Sequence, residues 1–391
     1  MEHGVEALIR EGSMQLPSPT SSEPFWLDEG GQIFVYGTGT VGRDVWRVLT
    51  ARGIPVAGFM DHLRHEVPSL NQVPLFRPDD TRLTAEVRGR AVVILAIHNY
   101  EVDMAALIGR LSGLGYPRTV SMIDLYDHFA EELGTRYWLT RRTFYQSRAP
   151  VIGSAYNLLA DETSRSLFSA ILGFRIAGDY SSLPEPDREH QYAPADIPGW
   201  IIPLRLVDCG AYDGDTLKSF LEAGTAIEAL AAFEPDPDNF ARLSQFVRET
   251  RQSIGEAYLW PCAVHSFTGQ LRFDGGRGEA SAVASGGDAL VPSVALDDVL
   301  HGFSPNLIKL DIEGAEHEAL LGARQMIAAE RPGLAVCLYH RPEHLWEIPL
   351  LIEKLAREGA PGPEYRYYLR AHAYSGFELV LYAVPLSLRN P

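Results

Sequence analysis

LRLVDCGAYDGDTLKSFLEAG, residues 204–224, opens as an apolar run, breaks at glycines and resumes as an amphipathic stretch. Its pattern predicts a strand ending in Asp208, a glycine-bearing loop and a helix beginning near Asp215. Gly210 and Gly214 remove side chains from that loop, so that a ligand can lie against the main chain, and Asp208 at the strand end can accept hydrogen bonds from an ammonium or from bound water. A phosphate would want donors there, whereas Asp208, Asp213 and Asp215 surround the loop with acceptors. The next strand, IEALAAFE, ends in Glu234, about 20 residues beyond the loop, where an acid can take both hydroxyls of a ribose. An adenosine bearing a cation satisfies both features.

Moving outward, the chain of 391 residues, 46% hydrophobic and 22% charged, is long enough for two domains with proper cores. A net charge of −17 without any basic run argues against nucleic-acid binding. Cys209, Cys262 and Cys337 fall in apolar runs without disulfide-like spacing, and no apolar run reaches the roughly 20 residues of a membrane span, which together with the lack of a signal-like start leads to a cytoplasmic expectation. Residues 1–30 read as a short helix, VEALIREG, and a Pro/Ser-rich lead-in. From residue 31 to 130, apolar strands (IFVYG, PVAGFMD, AVVILAI, TVSMID) alternate with amphipathic helices, which means a parallel sheet. Residues 131–200 are helical and mixed, with Asp161 a helix N-cap, and close in the Pro/Asp/Glu-rich SSLPEPDREHQYAPADIPG. Residues 201–391 form a second α/β unit. The fold expected is two Rossmann-like α/β domains joined by a helical linker region.

NLIKLDIEGAEHEAL, residues 306–320, gathers Asp311, Glu313 and Glu316 where a buried strand turns into a helix. Strand parity would put Lys309, Asp311 and Glu313 on one face, and Glu316 would sit favourably at the start of the helix. Only Lys218, Lys309 and Lys354 of the 34 basic residues are lysines, so a lysine inside a buried strand suggests that position 309 wants a compact ammonium. His340 closes the next apolar run, LAVCLYH, and should stand beside these acids.

S-adenosylmethionine is an adenosine bearing a cation. VDCGAYDGDT, AFEPDPDNFARL, CAVHSFTGQLRF, VALDDVL, IKLDIEGAEHEALLGA and YHRPEHLWEIPLLI, in this order and spacing, resemble the FkbM family of S-adenosylmethionine-dependent methyltransferases over Val207 to Pro385. HQYAP just before them is similar to a lead-in of some members. The resemblance implies a class I methyltransferase sheet ending in an antiparallel hairpin (PEYRYYLRAH and FELVLYAV) and methylation of a hydroxyl on a sugar, glycan or related metabolite. By the same resemblance Asp208, Gly210, Gly214 and Asp215 line the methionine end of the cofactor, Glu234 binds its ribose, Cys262, Ala263 and Val264 flank its adenine, and Tyr212 and Asp236 are further cofactor-binding candidates. Tyr212 and Asp213 depart from the commonest family loop. Asp311, Glu313, Glu316, His340 and Lys309 become the candidates for orienting and deprotonating the acceptor, with a divalent ion as an alternative use of the same acids. The Gly/Ser-rich Asp274–Gly287 is a candidate lid.

The earlier stretch YGTGTVG places Gly37, Gly39 and Gly42 between a strand and a helix, with Asp61 ending the next strand, the context of a dinucleotide fingerprint. A nucleotide at this domain is therefore one expectation and a docking or dimerisation role another. Two further functions stand beside methyl transfer: an NAD-dependent sugar oxidoreductase or epimerase, and a scaffold of two ligand-binding sheets.

Overall fold

The computed structural model describes residues 5, 9, 24–27, 31–62, 69–274, 282–283, 289–359, 361–362 and 364–386. Of the VEALIREG helix only Val5 and Ile9 are among these residues, and most of the candidate lid lies outside them. Two compact units emerge, one comprising residues 1–153, 167–185 and 373–377, the other residues 154–166, 186–372 and 378–391.

The first unit holds β1 (Ile33–Tyr36), α1 (Thr40–Ala51), β2 (Val56–Met60), β3 (Ser69–Leu70), β4 (Val73–Phe76), α2 (Ala85–Arg90), β5 (Val92–Leu95), α3 (Met104–Gly113), β6 (Arg118–Val120) and α4 (Met122–Leu133). Its sheet runs β3-β4-β2-β1-β5-β6, parallel except for the β3/β4 pair. Every residue of β1 and β5 is buried, the signature of strands covered on both faces. α1 presents Val45 and Leu49 to the core, and Gly42 lets it approach the sheet: a Cβ there would meet the Gly37 carbonyl oxygen at 2.0 Å. Beyond α4, α5 (Thr143–Gln146), α6 (Ala149–Leu158) and α7 (Glu162–Ala177) follow, and Asp161 Oδ1 accepts the Ser164 amide at 2.7 Å, the capping bond its position predicts.

The second unit contains β7 (Leu204–Cys209), α8 (Asp215–Glu222), β8 (Ile227–Phe233), α9 (Pro237–Glu249), β9 (Ile254–Trp260), β10 (Ala263–Val264), β11 (Gly269–Asp274), β12 (Ala282–Val283), β13 (Ala289–Val294), α10 (Leu296–Val299), β14 (Leu307–Leu310), α11 (Glu316–Gly322), α12 (Arg324–Glu330), β15 (Gly333–Cys337), α13 (His344–Glu358), β16 (Tyr365–Ala371) and β17 (Leu379–Pro385). The main sheet runs β9-β8-β7-β14-β15-β17-β16, with β17 antiparallel to both neighbours and the rest parallel. The strand order reverses at β7/β14, so the carboxyl ends of these two strands open a crevice in which sheets of this kind bind ligands. A smaller sheet, β10-β13-β11-β12, interrupts the alternation between β9 and β14. Two of its strands are only two residues long and its pairings join separated segments, so the linear pattern does not reveal it.

Candidate functional site

Register builds the centre of the site. β14 pairs with β7 so that Lys309 stands opposite Asp208. Both are buried, and the Lys309 ammonium lies 3.1 Å from Asp208 Oδ1 while donating to the Gly210 carbonyl at 2.6 Å. Apart from this ion pair, the two Asp208 oxygens are buried with no hydrogen-bond donor. Burial pushes the Asp208 carboxyl up to about 6 although Lys309 pulls the other way. For Lys309 burial lowers basicity, but Asp208, Asp311 and Asp215 outweigh it, and the ammonium stays charged well above its ordinary range. The compact ammonium of Lys309 meets both the Asp208 carboxylate and the Gly210 carbonyl in this buried position, in keeping with a lysine in an arginine-rich chain.

The acids of residues 311–316 converge, but not by strand parity. β14 ends at Leu310, and Glu313 adopts a left-handed φ of 56° ahead of Gly314 at φ 101°. Its side chain therefore reaches the site from a turn. β15 likewise ends at Cys337, and His340 lies in the buried loop beyond it rather than on the strand. His340 Nδ1 is 2.7 Å from Glu316 Oε1, and its Nε2 is 3.4 Å from Asp311 Oδ1 and 3.5 Å from Glu313 Oε2. Glu316, fully buried, also accepts the Ile312 amide at 2.9 Å and lies 3.2 Å from His344 Nδ1. Burial would raise the Glu316 carboxyl, yet His340 and His344 hold it down at about 2. Burial would likewise lower His340, but Glu316, Glu313 and Asp311 lift it to about 10. Glu313 has no such compensation: burial, with Asp311 and Glu316 adding to it, raises its carboxyl to about 8 against the pull of His340. The centre thus carries a buried Glu316–His340 ion pair whose imidazole presents Nε2 to two further carboxyls.

The second strand end supplies the other half. Glu234 follows β8 directly and is buried, its Oε2 accepting the Tyr212 amide at 3.0 Å and its Oε1 the Asp236 amide at 2.8 Å. The Asn239 side chain also hydrogen-bonds to this carboxylate, whose two oxygens offer about four acceptor sites in all and so keep room for another donor. Burial raises this carboxyl to about 7. Asp236 caps α9 through the Asp238 and Asn239 amides, so it shapes the loop. Gly210 and Gly214 are needed for a different reason than ligand approach. At φ 76°, a Cβ on Gly210 would meet the Asp311 carbonyl oxygen at 1.9 Å, and one on Gly214, at φ 97°, would meet the Phe246 ring at 2.7 Å. These glycines pack the loop against β14 and α9. Asp215 opens α8 and is pushed up by burial, with Lys309 opposing. Cys262, Ala263 and Val264 are buried, with the Ala263 side chain packed on Val291 and Leu271, leaving the main chain as the surface they can offer an adenine.

Several members of the site are not picked out as site residues from the sequence. Tyr192 donates to Asp311 Oδ2 at 2.9 Å, and its ring lies 5.5 Å from the Lys309 ammonium. Tyr339 reaches Asp311 Oδ1 at 3.4 Å, and Glu378 accepts Gln191 Nε2 at 2.6 Å. Gln191 and Tyr192 belong to the HQYAP segment, whose position ahead of the domain was a hint. Glu378, between the hairpin strands, had none.

In the first unit the glycines divide their tasks. Gly37 takes φ 111° beside the Ala96 carbonyl, Gly42 packs on Gly37, and Gly39 faces open space, with nothing within 4 Å of a Cβ placed there. Asp61 Oδ2 accepts the Thr38 amide at 3.2 Å and its hydroxyl at 2.5 Å.

Residues 208–375 match the family model described as Methyltransferase FkbM domain. Across the chain, the fold is similar to the crystal structure of methyltransferase FkbM from Methylobacillus flagellatus KT, with a TM-score of 0.77 at 20% identity, covering 98% of this chain and 100% of that one. No curated protein matches the chain. Among the described residues, no helix is long and apolar enough to cross a membrane.

Proposed function

We propose that the second unit methylates a hydroxyl of a sugar, glycan or related secondary metabolite using S-adenosylmethionine, a reading supported by the match of residues 208–375 to the family model described as Methyltransferase FkbM domain. When bound, that cofactor supplies a methyl group on a sulfonium and leaves neutral, while the acceptor gives up a proton. The observation that carries the proposal is the pair of buried acids at neighbouring strand ends: Asp208, short of donors, and Glu234, which keeps acceptor capacity beyond its bonds to the Tyr212 and Asp236 amides and the Asn239 side chain. Asp208 and Asp215 suit the amino group, and Glu234 the ribose hydroxyls. Asp311, held with Glu313 around His340 Nε2, accepts from a hydroxyl and takes its proton. Alignment of the acceptor supplies the larger part of the barrier reduction, about 7–11 kcal/mol at best, and a placed base about 10²- to 10⁴-fold in rate.

A divalent ion fits this donor set poorly. Asp311, Glu316 and His340 bring ligand atoms within 4.8 Å of one another, but Glu316 Oε1 is already held by the Ile312 amide and His340 Nδ1. The cluster works as an ion-pair network. Transfer of a labelled methyl group to a panel of glycans and nucleotide-sugars tests the reaction. Asp311→Asn is expected to cut turnover at least about 10²-fold with cofactor affinity unchanged within a few fold; turnover abolished by a chelator in the parent would replace the base with a metal.

A nucleotide is proposed for the first unit on one observation, the open space before Gly39 at the start of α1. Arg110 adds a positive charge that acts on both Tyr36 and His62 at the same sheet edge. Calorimetry with NAD and with a nucleotide-sugar checks it, and a Gly39→Asp variant is expected to abolish the heat.

A further inference from the structure

Glu378 precedes β17 in a left-handed conformation, φ 46°, which a non-glycine residue keeps only when its surroundings hold it there. Gln191 holds one of its oxygens at 2.6 Å, and the Tyr339 hydroxyl also bonds to its carboxyl. The same Tyr339 hydroxyl lies 3.4 Å from Asp311 Oδ1, while Tyr192 serves Asp311 Oδ2. An oxygen of Asp311, one of Glu378 and the Cys337 sulfur all lie within 4.8 Å of one another.

Counting protons decides what this arrangement can be. A tyrosine hydroxyl donates once, so Tyr339 cannot serve two ionised carboxylates together. One extra proton on Glu378 resolves the conflict: Glu378 donates to the tyrosine oxygen and Tyr339 donates on to Asp311. Two unprotonated acids this close would also repel. We propose that Asp311 and Glu378 share one proton through Tyr339, and that Glu378 is a positioning residue that keeps this proton and leaves Asp311 ionised to receive the acceptor's. The assignment rests on the methyl-transfer reading of the site. Asp311, Glu313 and His340 face Glu378 from the loops after β14 and β15, with Tyr339, Cys337 and Tyr192 completing its titratable surroundings. Burial and Asp311 raise the Glu378 carboxyl to about 7, with Tyr339, Gln191 and His340 opposing.

The test uses the full chain without acceptor, with glutamate and aspartate carboxyls carbon-13 labelled and followed by NMR from about pH 4 to pH 9. Signals are assigned with Glu378→Gln and Asp311→Asn. Glu378 is expected to titrate near pH 7, with the Asp311 signal moving in the same step. In Glu378→Gln, which keeps the amide hydrogen bonds, that step should vanish from the Asp311 signal, and Tyr339→Phe should uncouple the two. A Glu378 midpoint in the ordinary range near about 4.3, or an Asp311 signal unchanged by Glu378→Gln, overturns the proposal. S-adenosylhomocysteine binding to the parent, measured separately, reports on the methyltransferase reading, so the two failures are distinct.

Discussion

At the scale of single residues, the Glu316–His340 pair sets both a stability requirement and a pH window. Glu316 is held below its ordinary 4.5, at about 2, so its contribution is present above 4.5 and lost as pH falls through 2. His340 is raised from 6.5 to about 10, so its contribution is present below 6.5 and lost as pH rises through 10. Removing His340 leaves a fully buried carboxylate with only the Ile312 and Gly314 amides and His344 beside it, and His340→Ala is expected to destabilise the chain by about 3–5 kcal/mol in urea denaturation. Loss of activity in that variant would therefore be a poor probe of catalysis, and Asp311→Asn is the better one. Other acids work in the opposite sense. Asp208, Glu234 and Glu313 are raised from 3.8, 4.5 and 4.5 to about 6, 7 and 8, so folding binds their protons and stability falls as pH rises through those values. The urea midpoint is expected to decline between about pH 5 and pH 8, and a flat or rising profile would contradict these assignments. A ligand that needs Asp208 and Glu234 ionised must release protons on binding near about pH 6, measurable by calorimetry in buffers of different ionisation heat. Glu234→Gln should weaken that ligand by about tenfold or more, whereas Glu234→Ala, which orphans the Tyr212 and Asp236 amides, should also lower stability by about 1–3 kcal/mol for each.

At the scale of elements, the turn after β14 stores backbone strain for the sake of the site. A glycine at position 313 would relieve a left-handed residue costing about 1–2 kcal/mol and remove a carboxyl that resists burial. Glu313→Gly should accordingly raise the melting temperature while lowering turnover, a trade-off that calorimetry and the methyl-transfer assay read together. Gly210→Ala should do the reverse, since its Cβ meets main chain at 1.9 Å, and a loss of more than about 2 kcal/mol is expected. These cases mark where sequence reading works and where it stops. The strand-loop-helix character of residues 204–224, the acid at position 234 and the closing hairpin were legible because periodicity and glycine spacing are local signals. Lys309 was legible through composition alone, and register then gave it Asp208 as a partner. Strand parity failed at Glu313 because the strand ends three residues earlier, and the small sheet β10-β13-β11-β12 escaped because its pairings are non-local. Tyr192, Tyr339 and Glu378 meet around Asp311 from segments far apart in the chain, a convergence that only the fold creates.

At the scale of the whole molecule, the chain holds two α/β sheets, each with a glycine loop at a strand end, and they differ in the charge gathered there. The second unit surrounds its loop with Asp208, Asp213, Asp215 and Glu234, whereas the first combines an open Gly39 with the cation Arg110. The acidic loop of the second unit suits a cationic adenosine and the open loop of the first a phosphate, so the two units should sort two ligands. The measurement that tests this most directly is titration calorimetry of the full chain with S-adenosylhomocysteine, in parent and in Asp208→Asn. The account predicts one site per chain in the parent, a strong loss of affinity in Asp208→Asn, and no competition from NAD. Absence of S-adenosylhomocysteine binding in the parent, or its displacement by NAD, would contradict the assignment of the second unit as the methyl-transferring half.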